Sequence, residues 1–141
     1  MRLITLIPLL ILGLGCTNTK NATVKSGILN GTWVPVKQEI NGTVLPPAAL
    51  ENQKLILSGH NYTFIAESTD KGVLTFKKDK MDIYGKEGVN AGKHFVAIYK
   101  YENEQLTVCY NLEGDTYPDA FDTKGKPSFF LCVFKKEAAA K

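Results

Sequence analysis

Side chains with chemistry to offer are few and scattered in this chain of 141 residues, which has three cysteines, two histidines and fourteen acidic residues. Cys109 and Cys132 fall on what should be the last two strands. Either they bond, which requires Cβ atoms about 3.5–4.5 Å apart, or they are buried free thiols. His60 and His94 lack the spacing of metal ligands, and His60, in the turn Gly59-His60-Asn61, reads as solvated. Glu113, Asp115, Asp119 and Asp122 share one loop. That loop lacks the alternating Asp/Asn pattern and distal Glu of a calcium site, so it reads as solvated polar surface. No Gly-x-Ser-x-Gly elbow occurs, and no spacing suggests paired carboxylates. The sequence puts forward no catalytic residue, no metal site and no cofactor, and the expectation is a protein that is not an enzyme.

The stronger signal is aromatic. Tyr62, Phe64, Phe76, Phe95, Tyr99, Tyr101 and Tyr110 occupy alternate positions in short apolar segments. Turned to one interior, they would line an apolar cavity with a few hydroxyls, the usual make-up of a small-molecule site. Against that stands a solid core. An eight-stranded barrel is only just wide enough to be filled by its own side chains or to hold one small ligand, and strands this short with aromatics this large favour filling.

The elements that must position these residues follow from period-two hydrophobicity, which runs from Trp33 onward. Val34 to Ile40 meets Asn41-Gly42, the sequence of a tight type I′ hairpin turn, and Val44-Leu45 returns. Pro46-Pro47 ends that strand, and 48–52 can form a helical turn with Pro47 near its start. Further strands carry Leu55 and Leu57, then Tyr62 and Phe64, then, after a break at Asp70-Lys71-Gly72, Leu74 and Phe76. Met81 and Ile83, Phe95 to Tyr101, Leu106 to Tyr110 and Ser128 to Lys136 complete the set. Loops run from Gly85 to Gly92 and from Leu112 to Pro127. About eight short antiparallel strands predict an all-β protein, closed as a barrel or stacked as a sandwich; closure would remove unpaired edges.

Composition narrows the partners. Hydrophobic residues make up 44% and charged residues 22%, ordinary for a folded domain and unlike a disordered or polytopic membrane chain. The net charge of +3 comes from seventeen Lys+Arg, mostly dispersed lysines, which argues against nucleic acid. Met1-Arg2 precedes an apolar run of thirteen residues, Leu3 to Gly15. It is shorter than the roughly 20 residues of a membrane-spanning helix and has the parts of a secretory signal peptide. Its removal takes Arg2 with it and leaves a nearly neutral domain.

Leu12-Gly13-Leu14-Gly15-Cys16 resembles the lipobox of bacterial lipoproteins, with Gly13 where that motif usually has Leu. The resemblance implies a signal peptide over 1–15, a lipid anchor on Cys16, a flexible tether over 16–27 and a domain over 28–136, with 137–141 a short tail of helical-spacer composition. Several acyl chains would hold it firmly to a membrane. With nothing acidic after Cys16, the implied location is the bacterial envelope, on the periplasmic face of the outer membrane.

Gly31-Thr32-Trp33 resembles the Gly-x-Trp motif that opens lipocalin-type barrels. Asn41-Gly42, Lys71-Gly72-Val73, Met81-Asp82-Ile83, Ile98-Tyr99-Lys100-Tyr101, Leu106-Thr107-Val108-Cys109 and Tyr117-Pro118-Asp119-Ala120-Phe121 follow in order. Together they resemble the lipocalin-like domain associated with extracytoplasmic sigma factors in planctomycetes, a family of unknown biochemical function. It implies a lipocalin-like antiparallel up-and-down β-barrel of about eight short strands. Trp33 would plug the closed end beside Gly31, under a cation from Lys135 or Lys136, with Lys135 the first candidate. The family often has the first cysteine without the second. This chain departs from it in having Tyr117 where the family has Arg, and in lacking the Gly that usually accompanies Asn103. Two functional readings result: an envelope lipoprotein binding a small apolar or amphipathic molecule, or a filled-core module whose two long loops meet an envelope protein. A cavity separates them.

Overall fold

The computed structural model describes residues 27–138. The signal-like segment, Cys16 with most of its tether, and the end of the tail lie outside the described residues.

Nine strands run as an antiparallel meander: β1 (Gly31–Ile40), β2 (Thr43–Val44), β3 (Lys54–Ser58), β4 (Asn61–Ile65), β5 (Thr69–Lys77), β6 (Lys80–Glu87), β7 (His94–Glu102), β8 (Gln105–Asn111) and β9 (Phe129–Lys136). β1 pairs with β3 and also with β9, so β1 and β3–β9 close into an eight-stranded barrel, with β2 an added ribbon on β1. Of the two all-β architectures that alternation and turn spacing predict, barrel and sandwich, the chain adopts the barrel, in the lipocalin-like up-and-down form that the Gly-x-Trp resemblance implies. The seam between β1 and β3 is short, Gly31–Trp33 against Leu55–Leu57. Beyond it β2 and a 3-10 turn, Pro47–Leu50, lie beside β1, held by the Leu45 amide donating to the Gln38 carbonyl at 2.8 Å.

Turn chemistry explains the connections. Asn41 and Gly42 both have positive φ, 48° and 77°, as a type I′ hairpin requires. At the β7–β8 turn, Asn103 and Glu104 take φ of 52° and 62°; without the expected glycine, Glu104 itself adopts the left-handed conformation.

Two sequence expectations about the strands are corrected. No break occurs at Asp70-Lys71-Gly72: β5 starts at Thr69 and passes through them, and β6 continues through Gly85 to Glu87. Asp70 and Gly72 are turn formers by type but are used here for what they place. Asp70 turns inward, and Gly72 leaves room for the Tyr62 ring, which a Cβ there would meet at 2.7 Å. In β1 the register slips by one residue between Pro35 and Lys37. Pro35 has no N–H for the ladder, Val36 bulges outward, and the inward parity shifts from Trp33 and Pro35 to Gln38. A bulge therefore puts an amide inside the barrel.

The meander gives the barrel two unlike ends. At one lie the turns β3–β4, β5–β6 and β7–β8 and the N-terminal turn 27–30; at the other lie the hairpin β1–β2, the turn β4–β5 and the two long loops. Trp33, fully buried, closes the first end, its indole N–H donating to the Leu29 carbonyl at 2.8 Å. Lys136, not Lys135, covers it, with Nζ 5.4 Å from the ring centroid. Lys135 is the exposed neighbour on β9, paired with Val34, because successive strand residues face opposite sides. Gly31 is needed here: its φ is 134°, and a Cβ would meet Lys136 Cε at 2.6 Å. Glu137 belongs to the barrel rather than the tail, since its amide donates to the Thr32 carbonyl and its carboxylate pairs with Lys54 at 2.9 Å.

A second apolar layer lies outside. Ile98, Cys109 and Leu131 on the outer faces of β7, β8 and β9 are buried beneath Tyr117, Phe121 and Phe129. The loop from Leu112 to Pro127 is thus docked onto the wall instead of standing free, despite its polar composition. Tyr117 donates to Asp82 Oδ2 at 2.6 Å, and Asn111 accepts from the Glu113 amide and donates to the Thr116 carbonyl. Thr123, fully buried, donates to Glu39 and accepts from the Gly42 amide.

Candidate ligand-binding cavity

The inward residues of the barrel do not fill it. Toward the loop-bearing end is a cavity of about 400 Å³, inside the range of small-molecule sites. This corrects the filled-core expectation. The reason lies in how the aromatics are shared out: Phe76, Tyr99 and Tyr101 do not line the cavity and pack at the closed end. Phe76 and Tyr99 meet edge to face at 5.3 Å, the Tyr99 hydroxyl donates to the Lys78 carbonyl at 2.8 Å, and Tyr101, 41% exposed, stands edge-on to Trp33. Spending three large rings on the floor leaves the upper barrel to Tyr62, Phe64, Phe95 and Tyr110 with Phe130, and to aliphatic side chains such as Leu74, Ile83 and Val108. Phe130 was legible as a strand residue, but its phase on β9 decides the face; it stacks on Tyr110 at 5.9 Å.

Five polar side chains also line the cavity: Gln38, Asp70, Asn90, Lys93 and Cys132. Gln38 donates to Gln53 Oε1 at 2.6 Å and to Cys132 Sγ at 3.6 Å. Asp70 is 6% exposed and accepts at 3.1 Å from the Asn90 amide and at 3.3 Å from the Asn90 side chain. Gly88, with φ of 90°, lets the β6–β7 loop press onto that carboxylate, where a Cβ would collide with Asp70 Oδ1. Among the described residues Asp70 has no cationic partner, and Lys93, exposed at the rim, makes no ion pair. Among the described residues Tyr62 and Tyr110 find no hydrogen-bond partner for their hydroxyls. Burial, and then the negative charge of Asp70, hold the Tyr62 phenol above its ordinary value. Burial does the same to Tyr110, with smaller contributions from Cys132 and Tyr62. Both phenols are neutral donors at physiological pH.

Cys109 and Cys132 do not bond to each other. Cys132 faces the cavity, whereas Cys109, paired with Leu131, faces the outer layer, so the wall separates them. Burial pushes Cys132 up to about 12, partly opposed by the Gln38 hydrogen bond, and Cys109 up to about 11. Neither is an activated nucleophile.

Outside the cavity, His94 Nε2 lies 2.7 Å from Asp82 Oδ1, its ring stacked on Tyr84 at 4.6 Å, and His60 Nδ1 lies 3.1 Å from the Leu74 carbonyl. His60 is exposed in its turn, as expected, with one ring nitrogen at the backbone. Among the described residues no group of three or more His, Cys, Asp or Glu side chains is placed to hold a metal ion. Glu113, Asp115, Asp119 and Asp122 do not converge; Asp119 instead pairs with Lys126 at 3.3 Å.

No family model matches the chain, and no curated protein shows significant sequence similarity to it.

Proposed function

We propose that this protein is a non-enzymatic binding protein of the bacterial envelope, anchored through acylated Cys16, whose barrel holds a small apolar or amphipathic molecule. The observation that carries the reading is the cavity itself: about 400 Å³, walled by aromatic and aliphatic side chains. Apolar walls supply affinity through water release, while the few polar groups orient the ligand. The lipobox-like sequence that ends at Cys16 supports the envelope half of the proposal.

The test is native mass spectrometry of the full chain purified from bacterial membranes, before and after organic extraction, followed by thermal melts of the stripped protein against a panel of hydrophobic compounds. A discrete mass lost on extraction, or a ligand that raises Tm in a concentration-dependent way, is the expected result. A clean protein mass together with a melting point that no compound moves would overturn the binding reading. Cys16→Ser is expected to release the protein from membranes; continued membrane retention would remove the anchor from the proposal.

A further inference from the structure

The polar groups inside the cavity are not evenly balanced in charge. A carboxylate is rarely buried without a cationic partner, because taking a charge out of water is costly unless it is paired. Among the described residues Asp70, 6% exposed, has only the neutral Asn90 for a partner. An ionised carboxylate offers about four acceptor positions; Asn90 occupies one on each oxygen. Phe64 is the direct cross-strand neighbour of Asp70 on the inward face, and Tyr62, 7% exposed, turns an unbonded hydroxyl to the same space. Tyr110 adds a second unbonded hydroxyl. A carboxylate flanked by aromatic faces and phenol oxygens is complementary to an ammonium group, which donates to the former and is attracted by the quadrupole of the latter.

We infer that the cavity selects an organic amine: a protonated nitrogen held by Asp70 and the Tyr62 hydroxyl, with an apolar body lying among the aromatic walls. This rests on the binding reading above and narrows it. Lys93, the other charged residue lining the cavity, is exposed at the rim, where water solvates its ammonium. A buried and incompletely paired carboxylate therefore governs the interior, and a solvated lysine does not.

Three probes of like size, phenylbutylamine, phenylbutanol and phenylbutyrate, distinguish the possibilities when titrated calorimetrically into the full chain at neutral pH. The amine is expected to bind at least tenfold more tightly than the alcohol, a difference of about 1.4 kcal/mol, with the carboxylate weakest. Asp70→Asn, which keeps one acceptor oxygen for the Asn90 amide and removes the charge, is expected to bring the amine to the affinity of the alcohol. Equal binding of amine and alcohol, or tightest binding of phenylbutyrate, overturns the amine inference while leaving the cavity reading intact. Binding of none of the three overturns the amine inference, and only together with a clean native protein mass and a melting point that no panel compound moves does it overturn the cavity reading as well. Should Asp70→Asn fail to fold, the ranking of the three probes on the unaltered protein decides the question.

Discussion

Cys132 shows how one residue's chemistry is set by where its strand turns it. It lines the cavity, yet burial holds its thiol at about 12 and that of Cys109 at about 11. The thiolate is the reacting species, so at pH 8 both are almost wholly protonated. Neither residue should react measurably with iodoacetamide in the folded protein within an hour, and both should react within minutes in urea, read by peptide mass spectrometry. Rapid native labelling of Cys132 would mean that the cavity is wetter and more open than its apolar wall implies. Trp33 and Lys136 make the complementary point at the closed end. The indole is fully buried with its N–H satisfied, while the lysine above it adds a cation–π contact of about 0.5–1 kcal/mol at an exposed site.

At the scale of elements, the β8–β9 loop behaves as a strap. Its apolar face, Tyr117 and Phe121, covers Ile98, Cys109 and Leu131, and its polar side chains fasten it to β1, β6 and β8. The Tyr117–Asp82 bond carries a pH signature. Donating to that carboxylate raises the Tyr117 phenol from 10 to about 12, with burial and the neighbouring negative charges adding to it. A folded pKa above the unfolded one stabilises the fold fully below the unfolded value and loses that contribution as pH rises through the folded value. Tyr117→Phe should therefore cost about 1 kcal/mol at pH 8. The difference from the unaltered protein should close between pH 10 and 12, measured by urea unfolding at each pH. A difference that persists unchanged at pH 12 would place its origin in packing and not in the hydrogen bond.

At the scale of the whole molecule, the barrel's closure and its vacancy are separable. Closure depends on the β1–β9 ladder, seven residue pairs long despite the bulge after Pro35. Vacancy depends on how much of the enclosed space the inward side chains occupy. Val108 lines the cavity from β8, and Val108→Phe should occupy part of that space. Binding of a fluorescent hydrophobic probe is expected to fall at least tenfold, while overpacking changes unfolding stability by no more than about 1–3 kcal/mol. Undiminished probe binding in a folded Val108→Phe protein would locate the probe outside the barrel.

Much of this architecture was legible in the chain because its causes are local. Alternation from Trp33 onward, Asn41-Gly42 with both residues at positive φ, and the regular spacing of turns each act over a few residues, and together they specify an antiparallel meander. Where local signals misled, a distant group had claimed the residue: Asp70 and Gly72 read as a break, but a neighbouring loop and the Tyr62 ring hold them in a strand. The face of Gln38 turns on one bulge, and the opposite faces of Cys109 and Cys132 on the β8–β9 register. Four of the seven aromatic candidates, Tyr62, Phe64, Phe95 and Tyr110, reach the cavity, while Phe76, Tyr99 and Tyr101 serve the floor. The sequence by itself determined most of the strands and their order, while the plug at Trp33 followed from the Gly-x-Trp resemblance. Only the tertiary structure decided that the barrel is hollow, because an internal volume is the small difference between the space enclosed by eight strands and the summed volume of every side chain turned into it.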